Sequence, residues 1–561
     1  MTRANPIFTN FNAGELSPLM AGRPDLAKFQ SGLGVCRNFI PRVQGALVRR
    51  GGTRFVSEVK HSSGRAWFVR FVFAINDAFV LEFGDGYIRF YYDRGVLLDD
   101  DGAPYEIASP YSQDDLVSAR DGSFAVRYTQ SGDVIYLVHP DHQPRTLTRH
   151  ANLDWRLELY EPDGGPFQDS NEDETISVTA NAGLVGQVAG ISATSPIFLP
   201  DHVGGLFYMQ MKDGSDVKPW EVYQPVAIGE QRRSDDKYYQ CTQVGVQPTY
   251  FTGTEKPIHT SGKYWDGDGQ DKDDDSMGGV GAEWLYVHPG YGWLRITSVG
   301  SNGMTAEGIV LSQIPAEAMA GTWRWALPAW YGRNWPSSVA FFRDRLCFAK
   351  DQVVHFSQAG DYANFKAKDF GEQLPSSAFR VLVQSGQGDP VEWMAPSQKL
   401  LVGTGGSVHA ISEASTAQAF GAANARQEDQ VMPGASGAAP VFAGSVLYAE
   451  RSGRIVNEAA FSAEVEKYAA TDLTVFAEHI TQSGVTAMAF AKQPHAIVWC
   501  VRADGGLACL TFHKDQQVVG WHRQVIGGGA DDALVEHVAV IPSPDGGRDD
   551  VWLVVRRTID G

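Results

Sequence analysis

Long apolar runs are missing from this chain. The best candidate, residues 66–75, is short and carries Arg70 in its middle, far from the roughly 18 apolar residues that a membrane helix needs. A membrane-spanning helix is excluded. The N-terminus contains Pro6 and Asn10 and no apolar core of a secretory signal, so the chain is expected to start out in a cytoplasm. Cysteine is scarce: Cys36, Cys241, Cys347, Cys500 and Cys509 form an odd, scattered set without a C-x-x-C pair. That excludes a zinc knuckle and reads as buried bystander thiols. Basic charge is also short, with 47 Lys and Arg against 66 Asp and Glu and a net charge of −19. A protein that grips nucleic acid with its whole surface would not look like this.

Catalytic signatures are absent as well. There is no G-x-S-x-G elbow, no G-x-x-x-x-G-K-[ST] loop and no H-E-x-x-H helix. The glycine clusters at 403–406 and 527–529 lack the strand–loop–helix setting of a dinucleotide site and read as turns. No cofactor and no metal is expected. Helix-like stretches are few and short, residues 459–468 being an example.

Strand signals fill the rest. Runs of Val, Ile, Phe, Tyr and Trp, about five to seven residues long, are bounded by Gly, Asp and Asn. They group into units of three or four, with starts near residues 65, 125, 338, 391, 440, 486 and 537. Antiparallel units at a period of about 40–50 residues have the form of β-propeller blades, with a β-sandwich pair as the competing arrangement. The expected fold is mainly β: a propeller-like core with an inserted, mostly β domain and an extended N-terminal segment. Its parts are residues 1–60, an extended basic segment; 61–160, the first blades; 161–335, the insertion; and 336–561, the remaining blades. Asp560-Gly561 is a hairpin-turn pair with no strand after it, so the expectation is either that another segment completes that blade or that the chain has been cut short.

Charge is unevenly spread. Residues 1–70 hold eleven basic and three acidic residues, a balance of +8, so the remainder carries −27. A basic segment on an acidic body points to docking on another, acidic surface or to lying near phosphates, with Arg23, Arg49, Arg50 and Arg54 making charge-assisted bonds to carboxylates or backbone carbonyls; a segment folded onto its own propeller is the competing reading. In the insertion, residues 266–275 are strongly acidic. Asp266, Asp268 and Gln270 alternate like the start of a calcium loop, but Asp271 stands where the turn glycine belongs and Met277 where the closing glutamate belongs. A solvated acidic loop is the simpler reading. Trp265, Trp284 and Tyr286 could stack on a sugar or pack a small β core.

Residues 11–18 read Phe-Asn-Ala-Gly-Glu-Leu-Ser-Pro, followed by Gly22-Arg-Pro-Asp-Leu26, Asn38-Phe39 and a run from Gly45 to Phe55 containing Arg49-Arg50-Gly51-Gly52. This opening resembles that of the tail nozzle proteins of short-tailed bacteriophages (podoviruses), also called tail tubular protein B. Residues 336–346 and 360–365, Leu400 to Gly403, Asp472-Leu-Thr474, Glu478-His479 and Val519 to Arg523 are similar to segments of the same family. The resemblance spans most of the chain outside 160–335. It implies a non-enzymatic virion tail protein that forms a hexameric ring below the portal and adaptor proteins. Such a ring continues the channel for ejection of genomic DNA and helps to seat tail fibres or spikes. An acidic wall suits a DNA conduit, since it repels phosphates instead of holding them. The competing expectation is a polysaccharide-binding or polysaccharide-degrading propeller, its site built on Asp266 and Asp268 or on the aromatic trio.

Overall fold

The computed structural model describes residues 9–212, 217–235, 237–245, 251–267, 281–367, 373–384, 388–428, 432–462, 467–527 and 533–558. The chain is mainly β, and most of its strand pairs are antiparallel. Seven of them form a propeller-like ring. The first contains Trp67–Ala74, Asp77–Gly84 and Tyr87–Tyr92; the second runs from Arg127–Ser131 to Asp154–Leu159. The third starts at Ser338–Phe342, the fourth at Val391–Pro396 and the fifth at Val441–Phe442, each with four strands. The sixth is the meander Val485–Ala491, Ile497–Arg502, Leu507–His513 and Val518–Gln524, and the seventh is the hairpin Ala533–Pro542 with Asp549–Arg557.

Packing closes these sheets into a circle, because every neighbouring pair buries a shared apolar layer. Trp67 and Phe71 of the first sheet pack with Leu137 and Trp155 of the second. Val138 of the second meets Val339 and Phe348 of the third, and Phe342 and Phe356 meet Met394 and Val402 of the fourth. Trp393 and Leu401 pack on Tyr448 of the fifth; Leu447 and Val456 on Val498 and Leu510 of the sixth; and Val501 and Cys509 on Val535 and Val538 of the seventh. Ala539, Ile541 and Trp552 of the seventh then cover Phe68 and Val80 of the first. Hydrophobic burial is non-directional, so the last joint is pinned by polar contacts. Nδ1 of the buried His537 accepts the Phe68 amide at 3.1 Å, and Arg94 pairs with Asp550.

The segment between the first and second sheets reaches across the ring. Arg120 pairs with Glu392, Asp121 accepts the Gly437 amide at 2.6 Å, and Arg127 donates to the Gly437 carbonyl. Gly437 suits the contact because a Cβ there would lie 2.8 Å from Asp121 Oδ2. The middle of the propeller is therefore bridged.

Residues between the second and third sheets form a six-stranded sheet in the order Val178–Ala180, Val188–Ala193, Thr305–Ser312, Tyr291–Val299, Leu206–Gln210 and Trp325–Ala326. Within it is nested a four-stranded module of Gln231–Ser234, Lys237–Val244, Ala282–His288 and Lys263–Trp265. One local expectation fails. In the stretch 459–468 the described residues are strand, not helix: Val456–Ser462 and Lys467–Asp472 pair in the fifth sheet, where Ala459 is buried against the fourth. Tertiary packing overrides the local preference of Ala, Glu and Lys for helix. Among the described residues no helix is long and apolar enough to cross a membrane.

Candidate assembly site at the N-terminal clasp

The N-terminal segment folds onto the sixth sheet. Gly14–Glu15 and Gly32–Leu33 run parallel to each other and to Val518–Gln524, extending that sheet to six strands and covering its edge. Glycine is required at position 14: its φ is +68°, and a Cβ would come 2.7 Å from the backbone of Gly520 and Trp521. Ile40 of the Phe39–Pro41 strand enters the core between the sixth and seventh sheets.

This register carries Glu15 into the interior, where it is fully buried. Its carboxylate accepts the Cys36 amide at 2.8 Å, contacts His479 Nε2 at 3.0 Å and accepts two bonds from Arg523, the Nε bond at 3.2 Å. A buried carboxylate is tolerated only when matched in this way. Burial and the adjacent Glu15 charge push the Cys36 thiol up to about 12, which keeps it protonated and unreactive. Around this pair, Ser17 Oγ donates to Glu478 at 2.6 Å, Trp521 Nε1 donates to the Leu473 carbonyl at 2.8 Å, and Asp472 accepts the Thr474 amide at 2.6 Å. Asn38, at φ +59°, accepts from Arg50 Nε at 3.1 Å and from the Val525 amide at 2.9 Å.

The four arginines expected to make assembly contacts therefore divide. Arg50 is engaged inside the chain, donating to Asn38 and to the Val525 carbonyl, and burial lowers its pKa. Arg23 is exposed and paired with Asp25. Arg49 and Arg54 are exposed and make no ion pair with a described residue. Glu15, His479 and Arg523 were not distinguishable as a set in the sequence; the signal that contains them is the group of segments at 11–18, 478–479 and 519–523.

The same holds at the third sheet. Arg343 and Asp344 form a two-residue turn with φ of +49° and +57°, and Arg345 is buried and donates to the carbonyls of Ser357, Ser377 and Pro375 at 2.5–2.8 Å. Tyr362 donates to Asp344 at 3.1 Å and the Gly360 amide to the Asp344 carbonyl at 2.9 Å, which joins segments 336–346 and 360–365.

In the nested module the aromatic trio does not form an open platform. Trp284 is fully buried, with its indole N–H donating to Asp266 at 2.6 Å. Tyr286 and Trp265 are half-buried on neighbouring strands. Asp266 is itself buried and takes a second indole N–H from Trp220 at 2.7 Å and the Ala282 amide at 2.7 Å, so it anchors the module's core instead of opening a cation loop. Asp268, Gln270, Asp271 and Met277 lie outside the described residues, as does Asp560-Gly561. Among the described residues no three His, Cys, Asp or Glu side chains are grouped to hold a metal ion.

A second concavity lies where the insertion meets the third sheet. It is a cleft of about 920 Å³ whose lining includes Tyr208, Tyr291 and Trp293 from the six-stranded sheet and Phe365 and Phe379 from the ring. Tyr291 and Trp293 are stacked at 6.3 Å, and Lys366 lies 5.3 Å over the Trp293 ring.

No family model and no curated protein matches the chain. Among solved structures it is similar to Raptor of Chaetomium thermophilum at 8% identity and a TM-score of 0.27, over 78% of this chain and 28% of that one. The chain thus spans less than a third of that protein's length, and a likeness at this level carries no functional argument.

Proposed function

We propose that this protein is a structural subunit of a short phage tail nozzle, a virion component without turnover. One observation supports the reading above others. Segments 11–18, 472–474, 478–479 and 519–523, which carry the resemblance to tail nozzle proteins, are more than 450 residues apart at their ends and yet meet in one hydrogen-bonded cluster around the buried Glu15. A resemblance produced by chance composition would not collect its residues into one hydrogen-bonded site.

On this reading several copies, six by the resemblance, form a ring below the portal and adaptor. The segment carrying Arg120 and Asp121 bridges each propeller from its second sheet to Glu392 and Gly437. The genomic DNA then passes through the opening enclosed by the subunits, not through a propeller. Arg49 and Arg54, at the solvent side of the clasp, are the contacts to a neighbouring acidic surface.

The test is the mass and shape of the purified chain by light scattering and negative-stain microscopy, alone and with a candidate adaptor–portal complex. Six-fold rings, or a monomer recruited onto the complex, are expected. A persistent monomer that ignores the complex overturns the proposal.

A further inference from the structure

The outer face of the insertion's six-stranded sheet carries apolar side chains where water should meet polar ones. In Thr305–Ser312 burial alternates: Ala306 and Val310 enter the core, and the residues between them face solvent. An antiparallel sheet with one wet face places polar side chains on that face. Here Ile309 and Leu311 stand on it, and Val188 lies directly across from Ile309 on the neighbouring strand. The turn carrying Leu184 and Val185 is tied to the same end of the sheet, where the Gly186 amide donates to the Val310 carbonyl at 2.9 Å. These five side chains are 37% to 65% exposed. Apolar residues exposed singly are ordinary, whereas a contiguous group marks a contact surface. Glu307, two positions from Ile309 on the same face, accepts from Ser298 Oγ and makes no ion pair with a described residue.

Charge and position select what covers this face. The insertion, residues 161–335, holds 23 acidic and 11 basic residues, a balance of −12. An anionic lipid surface would repel it, and a second insertion sheet would set two like-charged domains against each other. The clasp has the opposite character. Val35, Phe39 and Phe55 are 42% to 76% exposed on it. Arg37, Arg49 and Arg54 are exposed in the same segments and make no ion pair with a described residue. Phe39 sits directly across its hairpin from Arg49, and Phe55 follows Arg54 in the chain. One surface is thus apolar with an acidic surround, and the other is apolar with a basic one. They lie on opposite sides of the propeller: the insertion leaves the circle between the second and third sheets, and the clasp covers the sixth and its joint with the seventh. Two such surfaces cannot meet within one chain. Matched between chains, they make a head-to-tail contact, which closes into a ring when the rotation between copies allows.

We infer that the clasp of one copy docks on the outer face of the insertion sheet of the next, with Phe39 and Phe55 covering Val188, Ile309 and Leu311 while Arg49 and Arg54 face the acidic surround that includes Glu307. The apolar side chains supply the buried centre of the contact and the charges its rim and its register. The inference deepens the ring of the proposed function by naming the two faces that meet, and it rests on that reading for the number of copies.

The experiment is sedimentation velocity of the full chain alone, over a range of concentrations and at low and high salt. One variant breaks the clasp surface, Arg49→Glu with Phe55→Asp; a second breaks the insertion surface, Val188→Lys with Leu311→Lys. The unmodified chain is expected to associate beyond a dimer as concentration rises, more weakly at high salt. Each variant alone should associate at least about tenfold more weakly, the loss that follows removal of a central contact residue. Mixed in equal amounts, the two variants should form a dimer and nothing larger, because one keeps its insertion face and the other its clasp. If the second variant does not fold, as judged by near-ultraviolet circular dichroism, Leu311→Lys alone takes its place. Mixed variants that stay monomeric, or a clasp variant that associates like the unmodified chain, would overturn the contact. An unmodified chain that stays monomeric at every concentration would overturn it too; recruitment of that monomer onto the adaptor–portal complex would leave the nozzle reading standing without it.

Discussion

Replacing Glu15 by Gln should release the N-terminal clasp while leaving the ring intact. The substitution keeps the side chain's size and removes its charge. It also turns one of the two terminal atoms into a donor, in a pocket where the Cys36 amide and the Arg523 guanidinium already donate. Breaking a buried ion pair by removing one partner costs about 3–5 kcal/mol. Arg523 and His479 are about a quarter exposed and regain some hydration (24% and 23%), so about 2–3 kcal/mol is the appropriate figure. That raises the population of the opened segment by roughly 30- to 150-fold. Limited trypsin digestion with mass spectrometry reads this population when opening is fast relative to cleavage. Cutting after Lys28, Arg37 and Arg42 should accelerate by that factor, with little change elsewhere, Arg23 being protected by the proline that follows it. Glu174→Gln, at an exposed position of the insertion, is the control. Equal cutting of both variants within residues 23–42 would refute the role given to the Glu15 cluster.

Acid should attack the joint between the first and seventh sheets. Burial lowers the His537 pKa to about 3, against 6.5 for a free histidine, and its Nδ1 must stay unprotonated to accept the Phe68 amide. The unfolded chain therefore takes up the proton first. The contribution is complete above pH 6.5 and declines as pH falls toward 3, by about 2 kcal/mol at pH 5. His537→Gln keeps an acceptor, and its melting temperature should fall less between pH 7 and pH 5; an unchanged fall would count against the mechanism. Arg345→Met leaves the carbonyls of Ser357, Ser377 and Pro375 without their buried donor. It should destabilise the third sheet by about 3–5 kcal/mol, read as a lower urea midpoint. Asp266→Asn sets an amide donor against two indole N–H groups and should loosen the nested module, seen as a red shift of tryptophan emission; an unchanged spectrum would mean that Asp266 does not organise that core. Arg49→Glu with Arg54→Glu should leave the monomer's melting curve unchanged and impair ring formation or recruitment; assembly at the wild-type level would remove those arginines from the interface.

Much of the ring is legible in the sequence because its strands are short aliphatic and aromatic runs cut by turns such as Asp85-Gly86 and Asp504-Gly505, and each strand's pairing partner is its sequence neighbour. Local information suffices for such meanders. It fails where the deciding partner is remote. Residues 459–468 look helical until Ala459 is placed against the fourth sheet. Trp284 is equally a platform or a core residue until Asp266 is seen to take its N–H. Glu15 and Arg523 are 508 positions apart, and no periodicity links them. The cleft has no local signature, since Arg233 comes from the nested module and Arg380 from the ring.

The basic excess of the first 70 residues shows how structure changes the weight of a compositional argument. As a sum, +8 on an acidic body implies a partner outside the chain. In place, much of it is answered within the chain. Arg50 bonds Asn38 and Val525, Lys60 pairs with Glu106, Arg65 lies over Trp67 and near Glu536, Arg42 contacts His495, and Lys28 sits over the Phe476 ring. The contacts of Arg50 and Arg42 also hold the segment against the sixth sheet, whose edge would otherwise offer unpaired backbone to another chain. The clasp therefore blocks one mode of association, strand addition, while it presents Arg49 at the end of a hairpin and Arg54 on the exposed stretch that follows. Side chains held on a fixed backbone lose less entropy on docking than those on a loose tail. Opening the clasp by Glu15→Gln should accordingly weaken assembly even though Arg49 and Arg54 are untouched, and should do so in proportion to the fraction of chains opened.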